Sequence, residues 1–102
     1  MEDQKEFKCS GGTICTETIA EDGSRTLSLT LKNGKVVVVR ELLAEEIKQA
    51  TRLTDGDEYK SVFAIISLSA TFDGQSMLME DLQKMKMKEF NRIADVNAEL
   101  NF

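Results

Sequence analysis

At 102 residues the chain is the size of one domain, and its 41% hydrophobic and 30% charged residues are those of a folded domain rather than a disordered one. A net charge of −5 lacks the cationic excess a nucleic-acid binder needs, and the absence of His removes the usual general base near neutral pH and the commonest metal ligand. No run approaches the roughly 18 apolar residues that cross a bilayer, and the charged start MEDQKEFK has no apolar run behind it, as a secretory signal would.

Residues 1–24 are polar and are expected to form an N-terminal extension, mobile over about the first eight residues. Within it, residues 13–20 alternate as a short strand would, with Ile14, Thr16 and Thr18 against Cys15, Glu17 and Ile19. Cys9 and Cys15 lie six apart with no CxxC pair and no His, so they make no ordinary zinc site and are expected as free thiols in a reducing compartment.

Residues 25–40 read as a β-hairpin. Leu27, Leu29 and Leu31 alternate with Ser28, Thr30 and Lys32; Asn33-Gly34 suits a two-residue turn; Val36 to Val39 are β-branched. That turn would set Leu31 opposite Val36 and Leu29 opposite Val38, placing these four toward the core. Val37 and Val39 would then lie on the outer face, where something must cover them.

Apolar spacings of three and four predict a helix over 41–53, with Gly56 as its C-cap signal and Asp57 as the N-cap of the next. The second helix, from about Glu58 to Ala70, is apolar on nearly all sides and reads as central and buried, with Asp73-Gly74 ending it. A break in spacing near Lys86 predicts a short helix over 78–85 and a longer one over 87–100. The fold class is therefore α+β: an N-terminal hairpin, with or without a third strand, then three to four helices, residues 25–102 forming one domain. No repeat of 20–50 residues is visible.

Charge is unevenly distributed. Residues 27–40 carry Lys32, Lys35 and Arg40 and no acid, between two stretches of net −3, while residues 61–78 hold a single charge, Asp73. The clustered carboxylates Glu45-Glu46, Asp55/Asp57/Glu58 and Glu80-Asp81 suit helix starts and a turn; an EF-hand loop would need later ligands and a closing Glu that are missing. Neither cysteine has a His to activate it, and neither Ser10-Gly11-Gly12 nor Lys32-Asn33-Gly34-Lys35 matches a phosphate-binding fingerprint. The chain is thus read as a non-enzyme, with no catalytic, cofactor or metal residues. Met77, Met79, Met85 and Met87 fall within eleven residues; flexible, polarisable Met recurs on surfaces that bind varied apolar helices, and also fills core gaps. With the apolar second helix, this points to a protein interface or self-association. The candidate contacts are Val62, Phe63 and Ile66 with Met85, Met87 and Phe90.

The run LTLKNGKVVVVRELLAEEIKQATRL (29–53) resembles the opening of bacteriophage tail assembly chaperones, small proteins encoded just before the tape measure protein. The matching pieces are Asn33-Gly34, Val36 to Val39, Arg40-Glu41-Leu42 and Glu45-Glu46-Ile47. They are followed by an apolar helix over 62–72, Asp73-Gly74, MEDLQKM and KEFNRI. The family usually has Thr or Ser after Arg-Glu-Leu, where this chain has Leu43, and residues 1–24 have no counterpart. The resemblance covers about 27–102. It implies a non-enzymatic protein of the bacterial host cytoplasm, which binds amphipathic helices of the tape measure protein before tail polymerisation. The competing expectation is a structural tail or baseplate component, or an adapter, retained in the virion. Nucleic acid and membrane are not expected partners.

Overall fold

The structure, a computed structural model that describes residues 3–55 and 57–102, is an α+β fold. Strands β1 (Asp3–Lys8), β2 (Ile14–Ile19), β3 (Arg25–Thr30) and β4 (Val36–Arg40) lead into helices α1 (Ala44–Leu53) and α2 (Glu58–Ser69). The chain returns to the sheet as β5 (Ala70–Phe72) and β6 (Gln75–Ser76) and ends in α3 (Met79–Gln83) and α4 (Met87–Asn101). All six strands form one antiparallel sheet in chain order.

Three equal turns build its first four strands. At the β3–β4 turn Leu31 N–H donates to Lys35 O and Gly34 N–H to Leu31 O, both at 2.9 Å, with Gly34 at φ 87°. This is a three-residue loop, a tight turn followed by a left-handed residue that only Gly adopts without steric cost. The same pair of bonds recurs from Cys9 to Thr13 and from Ala20 to Ser24, with Gly12 at φ 94° and Gly23 at φ 87°. Gly12, Gly23 and Gly34 therefore mark a strand-plus-turn unit of eleven residues, shorter than the repeats sought in the sequence.

The extra loop residue corrects the expected register. Leu29 pairs with Val37 and Leu27 with Val39, while Val36 and Val38 oppose Thr30 and Ser28. Because side chains alternate with period two, one residue more in the turn exchanges the faces of β4. Val37 and Val39 are fully buried, whereas Val36 is 42% exposed. What covers the two valines is α4, which packs on β3 and β4.

The N-terminal segment also departs from expectation. Asp3–Lys8 is a strand paired along its length with β2, and β2 pairs with β3. Cys9 and Cys15 lie in the main core with Leu27, Leu29, Val37, Val39, Ile66, Phe72, Leu82, Ile93 and Val96. At the open end of this face Glu17 is buried between Lys5 (3.3 Å) and Arg25, and the Arg25 guanidinium lies 4.8 Å above the Phe7 ring. The opposite face presents Thr16, Ser28, Thr30, Val36 and Val38, half-buried or exposed.

The second helix ends at Ser69 rather than at Asp73-Gly74. Phe72 then pairs with Val37 and Ala70 with Val39, and Asp73-Gly74, both at positive φ, turn β5 into β6. Val36 N–H donates to Asp73 Oδ1 at 2.9 Å across this corner. After α1 the left-handed residue is Asp55 (φ 53°), and Gly56 lies outside the described residues. Asp57 caps α2, its Oδ1 accepting from Lys60 N–H at 3.2 Å. A second small core of Ala50, Ala64 and Ile65, with Leu42, Ile47 and Met79, joins α1 to α2.

Helix α4 is fastened to the turns by its polar side chains. Glu89 accepts from Lys32 N–H (3.0 Å), and Asp95 accepts from Gly11 N–H and Thr13 N–H (3.0 and 3.1 Å). Asn101 bonds Leu42 N–H (2.7 Å) and Arg40 O (3.2 Å). Burial pushes the Asp95 pKa up, but hydrogen bonds from Thr13 and Gly11 outweigh it and hold the carboxyl below its usual value.

Two measurements check this description. Val37→Ala should cost about 2 kcal/mol in urea unfolding and Val36→Ala no more than about 0.5 kcal/mol; the reverse order would restore the two-residue turn. Asp95→Ala should cost about 2 kcal/mol at pH 7. A carboxyl held low in the fold binds its proton less tightly there than in the unfolded chain. Its stabilisation is therefore complete above the unfolded value of about 4 and lost as the pH falls through the folded one. The gap between wild type and Asp95→Ala should accordingly narrow below about pH 4; a gap that persists undiminished in acid would exclude the charge.

Candidate partner-binding surface

The six residues singled out for partner contact do not form one open patch. Ile66 is fully buried in the main core, and Phe63, Met85 and Phe90 pack against that core. The rings of Phe63 and Phe90 meet at 4.7 Å between centroids, tilted by 36°, and so join α2 to α4. Val62 (43%) and Met87 (70%) face solvent. The apolar character of α2 is thus spent mainly inside the protein, against α1, α3, α4 and β5, and its exposed remainder is Val62 and Leu68.

Among the clustered methionines, Met77 packs on the main core and Met79 on the small one. Met85 and Met87 instead line a cleft of about 590 Å³ between the β3–β4 turn and the α3–α4 junction. Its walls are Leu31, Lys32 and Asn33 from the turn, and Asp81 and residues 84–89 from the helices. Lys84, Lys86 and Lys88 are exposed on its rim. Their alternation with Met85 and Met87 was available in the sequence, but a net charge of −1 over residues 79–102 concealed it. The other wall could not be foreseen, because residues 31–33 and 84–88 are brought together only by α4 lying on the sheet.

The remaining chemistry-bearing residues are structural. Glu46 forms a two-pronged pair with Arg40 (2.7 and 3.2 Å) and accepts from Leu43 N–H at 3.0 Å. These contacts bring its pKa to about 2, the Arg40 bond contributing most. They also explain how α1 starts on Leu43, which carries no capping oxygen: Glu46 reaches back from the first turn. Inside the domain Asn97 Oδ1 accepts from Ser69 Oγ (2.9 Å) and Asn101 Nδ2 (3.0 Å), linking α2 to both ends of the Arg40–Leu42 corner. Cys9 and Cys15 are free and buried with sulfurs 3.9 Å apart. Burial, then the neighbouring Cys15, pushes the Cys9 thiol up to about 12, and burial also raises Cys15. Among the described residues no group of three His, Cys, Asp or Glu could hold a metal ion, and no helix is long and apolar enough to cross a membrane.

Comparison with protein-family models, with curated proteins and with solved structures finds no match to this chain.

A thiol buried and held almost wholly protonated is a poor nucleophile. Iodoacetamide at pH 8 should therefore leave both cysteines unmodified in the native protein and label them in urea. Rapid native labelling, read by mass spectrometry, would contradict their place in the core.

Proposed function

We propose that this protein is a phage tail assembly chaperone, which binds and solubilises the tape measure protein during tail morphogenesis in the bacterial host cytoplasm. The observation that carries the reading is the set of large apolar side chains standing in solvent on the helical half. Leu53 is 83% exposed, Met87 70%, Leu43 69% and Leu78 67%, with Val62 and Leu68 above 40%. Single exposed apolar residues are ordinary, but this number on about fifty residues of helix gives an amphipathic partner several anchor points. The order of segments over 27–102 supports the same reading. The Arg40-Glu41-Leu42 and Glu45-Glu46-Ile47 pieces that carry the resemblance form one corner, closed by the Arg40–Glu46 pair and Asn101.

In this reading the chaperone works by occupying apolar stripes. A long chain of amphipathic helices aggregates through the faces it will later bury in the tail. A small acidic domain that covers those faces with adaptable apolar side chains keeps them from one another, and its own charge keeps the complex dispersed. Met87 and Val62 fit the task because they are exposed and have no fixed partner to abandon. Ile66 and the Phe63–Phe90 pair instead hold the helices that present them.

Co-expression with the protein encoded next in the tail operon tests this reading. The tape measure protein should stay soluble and co-purify with this chain. The double variant Val62→Glu, Met87→Glu should keep its fold and recover about tenfold less of it. A tape measure protein that remains insoluble would remove the chaperone role. Stoichiometric presence of this chain in purified virions would replace it with a retained tail component.

A further inference from the structure

The cleft between the β3–β4 turn and the α3–α4 junction differs in sign from the molecule around it. Four lysines line it (Lys32, Lys84, Lys86 and Lys88) against two carboxylates, Asp81 and Glu89, in a chain of net charge −5. Of those carboxylates Glu89 is already engaged, taking Lys32 N–H on one oxygen and Arg92 on the other, each at 3.0 Å. Among the described residues none of Lys84, Lys86 and Lys88 is paired with a carboxylate. Between these cations lie Leu31 and the flexible side chains of Met85 and Met87. An apolar floor of Met with a cationic rim is complementary to a helix with leucine-like residues on one stripe and carboxylates beside it. Nucleic acid suits it less well, because no aromatic side chain lines the cleft for a base to stack on and the rest of the molecule repels phosphate.

We infer that this cleft is a docking site for an acidic amphipathic helix, which sets its apolar stripe on Met85 and Met87 and its carboxylates against Lys84, Lys86 and Lys88. That its natural occupant is a tape measure segment rests on the chaperone reading; the preference of the cleft for acidic helices does not. The lysines provide selectivity and rapid encounter, the methionines tolerance of different apolar residues.

The test uses the full chain and two labelled peptides of about 20 residues, long enough to be helical. Both carry leucines at helical spacing, one with Glu and the other with Lys at the polar positions. By fluorescence anisotropy the Glu peptide should bind about tenfold or more tightly than the Lys peptide, and more weakly as salt is raised. The variant K84E/K86E/K88E, changed only at exposed residues and checked by circular dichroism, should reverse that order. Met87→Ser should weaken the Glu peptide in either salt. Equal binding of the two peptides, an order unchanged in the triple variant, or tighter binding of labelled oligo-dT than of the Glu peptide would overturn the inference. So would a sedimenting dimer of the wild type that the triple variant abolishes, since the occupant would then be a second copy of this chain. The two proposals fail separately. If the tape measure protein co-purifies equally with wild type and triple variant, the cleft is not its site, although the chaperone role stands. If the Glu peptide binds as expected while the tape measure protein does not co-purify, the acidic-helix site stands and the chaperone role falls.

Discussion

The placement of α4 along the inner face of the sheet is the contact on which the rest of the fold depends. It buries Ile93 and Val96 completely against β3 and β4, each worth roughly 1.5–3 kcal/mol of transfer free energy. Apolar contact alone would let a helix slide or rotate. Here its position is fixed by Glu89 at the β3–β4 turn, Asp95 at the β1–β2 turn and Asn101 at the exit of β4. At about 1.5 Å per residue Glu89 and Asn101 lie roughly 18 Å apart, close to the ~17 Å of the five-residue β4. The helix is therefore as long as the strand it covers and is held at both ends of it. Each bond satisfies a backbone N–H that a turn or a strand exit would otherwise leave to solvent, so polar and apolar contributions favour the same placement.

Much of this order was legible in the residues. The helices were readable because periodicity of 3.6 runs through long segments, and the break near Lys86 correctly divided α3 from α4. Strand content was underestimated where strands are polar or short. Asp3–Lys8 has almost no apolar alternation, and its pairing depends on β2 rather than on its own composition. Residues 70–72 continue an apolar helical run without interruption, so no local pattern separates them from α2. The face of β4 was misassigned because Asn-Gly is compatible with more than one loop length; the spacing of Gly12, Gly23 and Gly34 would have decided it.

The same distinction applies to the candidate surface. Apolar residues on a central helix satisfy two descriptions equally, core and interface, and only burial separates Ile66 from Val62. The lysine-rimmed cleft required three segments distant in sequence to converge, and its charge vanished into a regional average. Charge therefore informs on this protein at the scale of a few side chains. The sum of −5 describes its solubility, whereas the local excess of Lys84, Lys86 and Lys88 over Asp81 describes what it can hold.

The uniform turns impose a rule on how the length of this chain can vary. Losing one residue from any of the three eleven-residue units would shorten its loop and turn the next strand over, setting threonines and serines against α4 and valines or leucines into water. Losing one whole unit would preserve the alternation but reverse the direction of everything before it, carrying the Asp95-bonded turn to the far end of the sheet. Only removal of two consecutive units, twenty-two residues, would keep both inward faces and turn positions. The amino-terminal half of this fold is thus quantised in length, while the exposed connections of its helical half carry no such restriction.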